Sequence, residues 1–342
     1  MRALLKMNLR RYFRHPLFWL AMLFSAGVGV LQGSFFLGPD LYVILDDFFF
    51  LLVLFAQAIL LSVIVTSQHK DGVFRNKVIA GKPKGCIFFA ELLAALPVSA
   101  ALFAACMLPI CVMANRALRE LPAARLLAGA GVMLLIFFSF AALTVFLCSR
   151  MSGRILAMIL CFGAVFLLYA LSYTCNDYLH APEMLEIVLD EPSTDGSITM
   201  TSTGQRYSSI HVAMPPETGA HWDAQDQLVD KDGNLLDLYG NSLDPTFKPI
   251  VRISPNPQYV SGPLRSVLSV IDCLNPVRPL DAATSQFCYE KDADTTDEML
   301  KQDQQYRDLQ FELLPQYLPW QLGVFAALGI IGWLLFRRKE LV

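Results

Sequence analysis

This sequence is short of charge, and it lacks the common phosphate-binding, metal-binding and nucleophile signatures. Only 17% of its 342 residues are Asp, Glu, Lys or Arg, against roughly a quarter in soluble globular domains. No GxxxxGK[ST] loop occurs, so a nucleotide cannot be cradled by that device. HExxH and GxSxG are also missing, and with them two familiar hydrolase arrangements. There are eight cysteines but no CxxC pair, which gives zinc or dithiol redox chemistry little footing. His180, His211 and His221 are scattered through one polar block without ligand spacing. No histidine in an apolar run pairs evidently with a serine or acid, so an intramembrane enzyme has no visible catalytic constellation. The basic residues lie at the edges of apolar runs, which gives no support for nucleic-acid binding.

Apolar residues are abundant: they make up 55% of the chain, at a mean hydropathy of +0.46, and they are clustered. Clustering of this kind points to a polytopic helical membrane protein. Six runs are long enough to cross a bilayer, at about 16–37, 48–66, 86–113, 126–148, 155–174 and 317–336. The third is broken by Pro97 and Pro109, so a kinked helix, or a helix plus a re-entrant piece, is expected there. Residues 1–15 are basic and amphipathic, with Lys6, Arg10 and Arg14 on one stripe and Leu5, Leu9 and Tyr12 on another face. That pattern suits a retained helix lying in the membrane interface. A signal peptide also begins basic and turns apolar, but here no small-residue cleavage site comes after the apolar run.

The net charge of −3 conceals a split. Residues 175–316 hold nine Lys/Arg and 23 Asp/Glu; the remainder holds 18 and seven. On the six-span topology, one set of ends carries fifteen Lys/Arg, whereas the two short loops opposite carry three. The bias places both termini in the cytoplasm and the acidic block outside. That block reads as a small α+β extracytoplasmic domain between spans five and six. Residues 208–214 alternate weakly like a strand, and 227–239 read as a hairpin around the turn Asp230–Asn234. The same DKDGN invites a calcium reading, but its Gly233 is fourth where an EF-type loop needs a sixth-position glycine. Residues 292–307 look helical. Cys273 and Cys288 could form a disulfide if the block is extracytoplasmic.

The most informative stretch is the loop 67–85, SQHKDGVFRNKVIAGKPKG, with five Lys/Arg against the single acid Asp71. Asp71 is placed to cap a short helix, Gly81 fits the position just past its end, and Pro83 forbids continuation. A helix of about two turns needs something to press against. Either it docks a cytosolic partner, or the loop is plainly basic and only fixes topology. Inside the spans, Gln57 lines a substrate route or hydrogen-bonds between helices. Glu91 pairs with a loop lysine or arginine, or takes part in coupling.

The phrase Asp71-Gly72-Val73-Phe74-Arg75-Asn76-Lys77-Val78-Ile79-Ala80-Gly81 resembles the loop between spans two and three of ABC transporter permeases of the type-2 exporter family. The start MNLRRYFRHPLFWL is similar to their interfacial helix and first span, and Gly332 to Leu341 to their last span and basic stop. The segment Asn256-Pro257-Gln258-Tyr259-Val260-Ser261-Gly262, with Arg265 just after it, is similar to their segment before span six. The resemblance implies that the loop helix is a coupling helix docked on a separate ABC ATPase subunit. Phe74 and Val78 would then be packing knobs, Arg75, Asn76 and Lys77 polar contacts, and Asp71 and Gly81 the caps. It implies a permease half with six spans, paired with a second copy or a paralogue in the plasma membrane, with a bacterial cell as the setting. No cofactor would sit on this chain; ATP and magnesium would belong to the partner. The rival reading is a membrane-anchored sensor or assembly factor whose acidic outer block does the work.

Overall fold

A computed structural model describes residues 1–34, 41–43, 47–114, 118–119, 121–151, 153–181, 184–189, 197–202, 205–211, 221–222, 228–229, 250–256, 258–287, 289–291 and 297–338. Six of its helices are long and apolar enough to cross a membrane: Pro16–Ser34, Asp47–Lys70, Lys84–Met113, Ala123–Arg150, Arg154–Leu179 and Arg307–Arg338. The helices are α1 (Arg2–Arg14), α2 (Pro16–Ser34), α3 (Asp47–Lys70), α4 (Val73–Ile79), α5 (Lys84–Met113), α6 (Ala123–Arg150), α7 (Arg154–His180), α8 (Gly262–Leu274), α9 (Leu280–Thr284) and α10 (Asp297–Arg338). The chain divides into two compact units, residues 1–173 with 271–342, and residues 174–270.

In the first unit, α3 and α6 are the most enclosed spans, with 61% of their apolar windows buried against 17% for α7 and α10. The same hydrophobicity therefore serves two solvents: α3 and α6 pack on protein, while α7 and α10 leave Ile155, Ile159, Phe166, Ile330 and Leu334 exposed for lipid. The α2–α5 contact rests on small residues. Gly29 and Gly33 are four apart on α2, and a Cβ built on Gly29 would collide with the Cys106 carbonyl of α5. Backbones approach this closely only where a side chain is missing. Span three is one continuous helix despite Pro97 and Pro109.

The last helix begins well before the apolar run 317–336, at Asp297, and passes through Pro315 and Pro319. The acidic block 175–316 is thus not one structural piece. Its final third joins the helical unit through residues that apolar-run counting does not register. Gln321 Nε2 donates to the Pro276 carbonyl at 2.9 Å. Thr284 Oγ1 donates to Asp47 Oδ1 at 2.9 Å, and Asn275 Nδ2 to the Leu168 carbonyl at 2.7 Å. Arg278 Nε pairs with the buried Asp272 carboxylate at 2.7 Å, and the guanidinium stacks over Tyr317. Two short strands, β1 (Leu41–Val43) and β8 (Tyr289–Lys291), pair antiparallel.

The second unit is described mainly by its backbone. Strands β2 (Met184–Leu189), β3 (Ser197–Ser202), β4 (Gln205–His211) and β7 (Ile250–Pro255) form an antiparallel sheet in the order β4-β3-β2-β7. Strands β5 (His221–Trp222) and β6 (Leu228–Val229) pair with each other. The expected strand at 208–214 lies earlier, at 205–211. The DKDGN turn and the second arm of its hairpin lie outside the described residues. In the Asn256–Arg265 segment, Arg265 donates to the Leu179 and Val260 carbonyls and packs over Tyr259.

Candidate functional site

The loop between α3 and α5 folds as the short helix α4, closed at its end by backbone geometry. Gly81 adopts φ +76°, its N–H donates to the Val78 carbonyl at 2.9 Å, and the Lys82 N–H reaches the Lys77 carbonyl at 3.1 Å. That pair of bonds satisfies carbonyls a helix end would otherwise leave orphaned. The start differs from the sequence expectation. Gly72, at φ +66°, occupies the N-cap position, and no side chain caps the helix there. Asp71 is one residue too early, because the left-handed turn at Gly72 completes the entry.

The faces of α4 also differ from expectation. Phe74 is 2% exposed, its ring 4.4 Å from that of His69 and edge-on to Phe336 at 5.6 Å. Phe336 in turn lies 5.9 Å from Phe88, so an aromatic run ties α4 to α10 and α5. Lys77, 6% exposed, points inward as well: its Nζ donates to Asn8 Oδ1 at 3.1 Å and to Gln68 Oε1 at 2.8 Å. Val78 is half-buried. Phe74 and Lys77 therefore hold α4 to its own chain and are not outward contacts. Arg75, Asn76, Lys82 and above all Ile79, which is 74% exposed, form the outer face.

Beneath α4 is a buried polar cluster drawn from four helices. Tyr12 of α1 donates its hydroxyl to Glu91 Oε1 of α5 at 2.8 Å, and both residues are almost wholly buried. Among the described residues, Glu91 Oε2 has no hydrogen-bond partner. Tyr12 is thus the direct partner of Glu91. Lys77 lies within electrostatic reach of that carboxylate, without a hydrogen bond to it. Burial, then the Glu91 charge, holds the Tyr12 phenol well above its usual range. Tyr12→Phe is expected to cost about 1–3 kcal/mol, because the buried carboxylate loses that donor. A thermal melt of the purified protein reads this directly.

Burial lowers the Lys77 ammonium to about 8, opposed by Glu91 and assisted by Arg11. A folded-state value below the unfolded one means that unfolding takes up a proton between about pH 8 and the ordinary lysine value of 10.5. Stability from this group therefore rises as pH rises through that window, and the penalty is fully present below it. A neutral amine still has N–H donors for Asn8 and Gln68. The melting temperature should climb between about pH 8 and 10.5, and Lys77→Met should remove that increment.

Gln57 is fully buried in α3, and its Nε2 donates to the Phe137 carbonyl of α6 at 2.9 Å, an inter-helix bond. Cys273 is a free thiol that accepts from Arg278 Nη1 at 3.0 Å, so it carries no bridge here; Cys288 lies outside the described residues. Among the described residues, no group of three or more His, Cys, Asp or Glu could hold a metal ion. Sequence reading missed Ile79 and Asn8. The signal for Ile79 was its place opposite the 74/77/78 stripe of α4. Asn8 gave none, being a lone polar residue between Lys6 and Arg10.

Fold and composition define a membrane-embedded helical protein with a short anchored helix at one end of its bundle. No family model matches the sequence, and neither a curated protein nor a solved structure matches it.

Proposed function

We propose that this chain is the permease subunit of an ATP-driven exporter, working with a separate ATPase subunit. The observation that carries the reading is α4 itself. It joins two spans, is tied to α1 and α3 through Lys77 and to α10 through Phe74, and offers Arg75, Asn76, Ile79 and Lys82 outward. A push on that outer face reaches the helices beneath it through direct side-chain contacts. The face is basic around one exposed isoleucine, which suits an acidic partner surface with an apolar socket. In this reading both termini and α4 are cytoplasmic, the 175–316 block lies outside, and a second permease copy or paralogue completes the pathway.

The rival reading, a sensor or assembly factor, draws on the size and acidity of the 175–316 block. Affinity purification of the tagged full chain in mild detergent separates the two. The permease reading expects a P-loop ATPase at near-equal stoichiometry. Recovery without any nucleotide hydrolase, under conditions where the helical unit stays folded, favours the rival.

A further inference from the structure

We infer that the junction of α1 and α2 seats the headgroup of an anionic phospholipid. A shallow, open depression of about 370 Å³ there is lined by Met7, Arg10, Arg11, Arg14, His15 and Pro16. Three arginines and a histidine line it without a carboxylate among the lining residues, and residues 1–34 contain no acid at all. Among the described residues, Arg11 Nη1 has no hydrogen-bond partner, and the guanidinium lies within electrostatic reach of Tyr12 and Lys77. The junction is rigidly made. His15 N–H donates to the Tyr12 carbonyl at 3.1 Å, and Trp19 Nε1 donates to the Phe13 carbonyl at 3.0 Å. The Leu17 N–H donates to His15 Nδ1 at 3.2 Å, which fixes the ring at the junction.

The occupant is a lipid, not a free anion, because an apolar stripe runs on from the depression. Beginning one turn after His15, α2 exposes Trp19, Leu20, Leu23 and Phe24 along one face. Cations at the membrane edge beside a continuous exposed apolar face match a phosphate carrying acyl chains. An indole at that depth is the usual interfacial anchor. A soluble phosphate would use the arginines and gain nothing from the stripe. The inference requires the chain to be in a membrane, but it does not require a transport cycle.

The test is a thermal-shift titration of the full chain in an uncharged detergent. The probes are dioctanoyl phosphatidylglycerol, dioctanoyl phosphatidylcholine and glycerol phosphate. Phosphatidylglycerol should raise the melting temperature at concentrations where the other two do not. With roughly one kcal/mol for each basic residue near the surface, the combined Arg10→Gln, Arg11→Gln and Arg14→Gln variant should need roughly a hundredfold more of it. The matching triple Lys variant should stay within about tenfold of the parent, which separates charge from misfolding. Equal shifts from phosphatidylcholine would overturn the anionic assignment. Equal shifts from glycerol phosphate would overturn the lipid assignment. An unchanged titration in the triple Gln variant would overturn the site.

Discussion

In the permease reading, Ile79→Asp is expected to weaken capture of an ATPase subunit by on the order of 30-fold or more while leaving the membrane bundle intact. Ile79 is the largest apolar group on the outer face of α4, and its side chain touches little of its own chain. Truncating a central apolar anchor costs about 2 kcal/mol or more at an interface, and a carboxylate in an apolar socket adds desolvation. The exposed position limits the damage to folding, since surface changes usually stay within about 0.5 kcal/mol. Phe74→Asp is the instructive contrast. It would place a charge among Phe336, His69 and the other residues that bury it, so it should lower the melting temperature as well as capture. Pull-down and thermal melt together therefore give different signatures for the two variants. If Ile79→Asp captures the ATPase as well as the parent does, the outer face is not the docking surface.

The largest effect on the fold is expected from Gly29→Leu. The added side chain must displace the backbone of α5 at Cys106, which cannot yield as a flexible side chain would. Overpacking typically costs about 1–3 kcal/mol, and a backbone clash belongs at or above the upper end. Gly27→Leu on the same helix is the control, because nothing lies within 4 Å of a Cβ built there. The expected result is a large fall in melting temperature, or loss of the monodisperse peak, for position 29 and little change for position 27. Similar behaviour of the two variants would show that α2 does not pack on α5 through its glycines.

The spans were readable in the sequence because hydrocarbon thickness dictates run length, and that constraint is one-dimensional. The end of α4 was readable for a similar reason: Gly81 before Lys82-Pro83 is a local stop signal. The direction in which α4 faces was not. Burying Lys77 requires Asn8 and Gln68, one of them 69 residues away, and local periodicity carries no record of such partners. A two-turn helix with Phe74 and Val78 on one stripe could turn that stripe outward to a partner or inward to its own spans. Packing of Phe74 against Phe336, from the far end of the chain, settles the choice. The Asp71 cap failed because the neighbouring glycine takes the left-handed conformation that ends the preceding helix. Charge alone groups residues 271–316 with the rest of the acidic block, although Asn275, Thr284 and Gln286 are buried in the helical unit.

What touches the outer face of α4 in the cell decides between docking helix and plain loop. A photoreactive benzophenone side chain installed at position 79 of the full chain, irradiated in intact cells and read out by mass spectrometry of the adduct, measures that contact directly. The permease reading predicts one dominant adduct with a P-loop ATPase, absent when the group is placed at the buried position 74. Adducts formed only with lipid, or with proteins that hydrolyse no nucleotide, would contradict it.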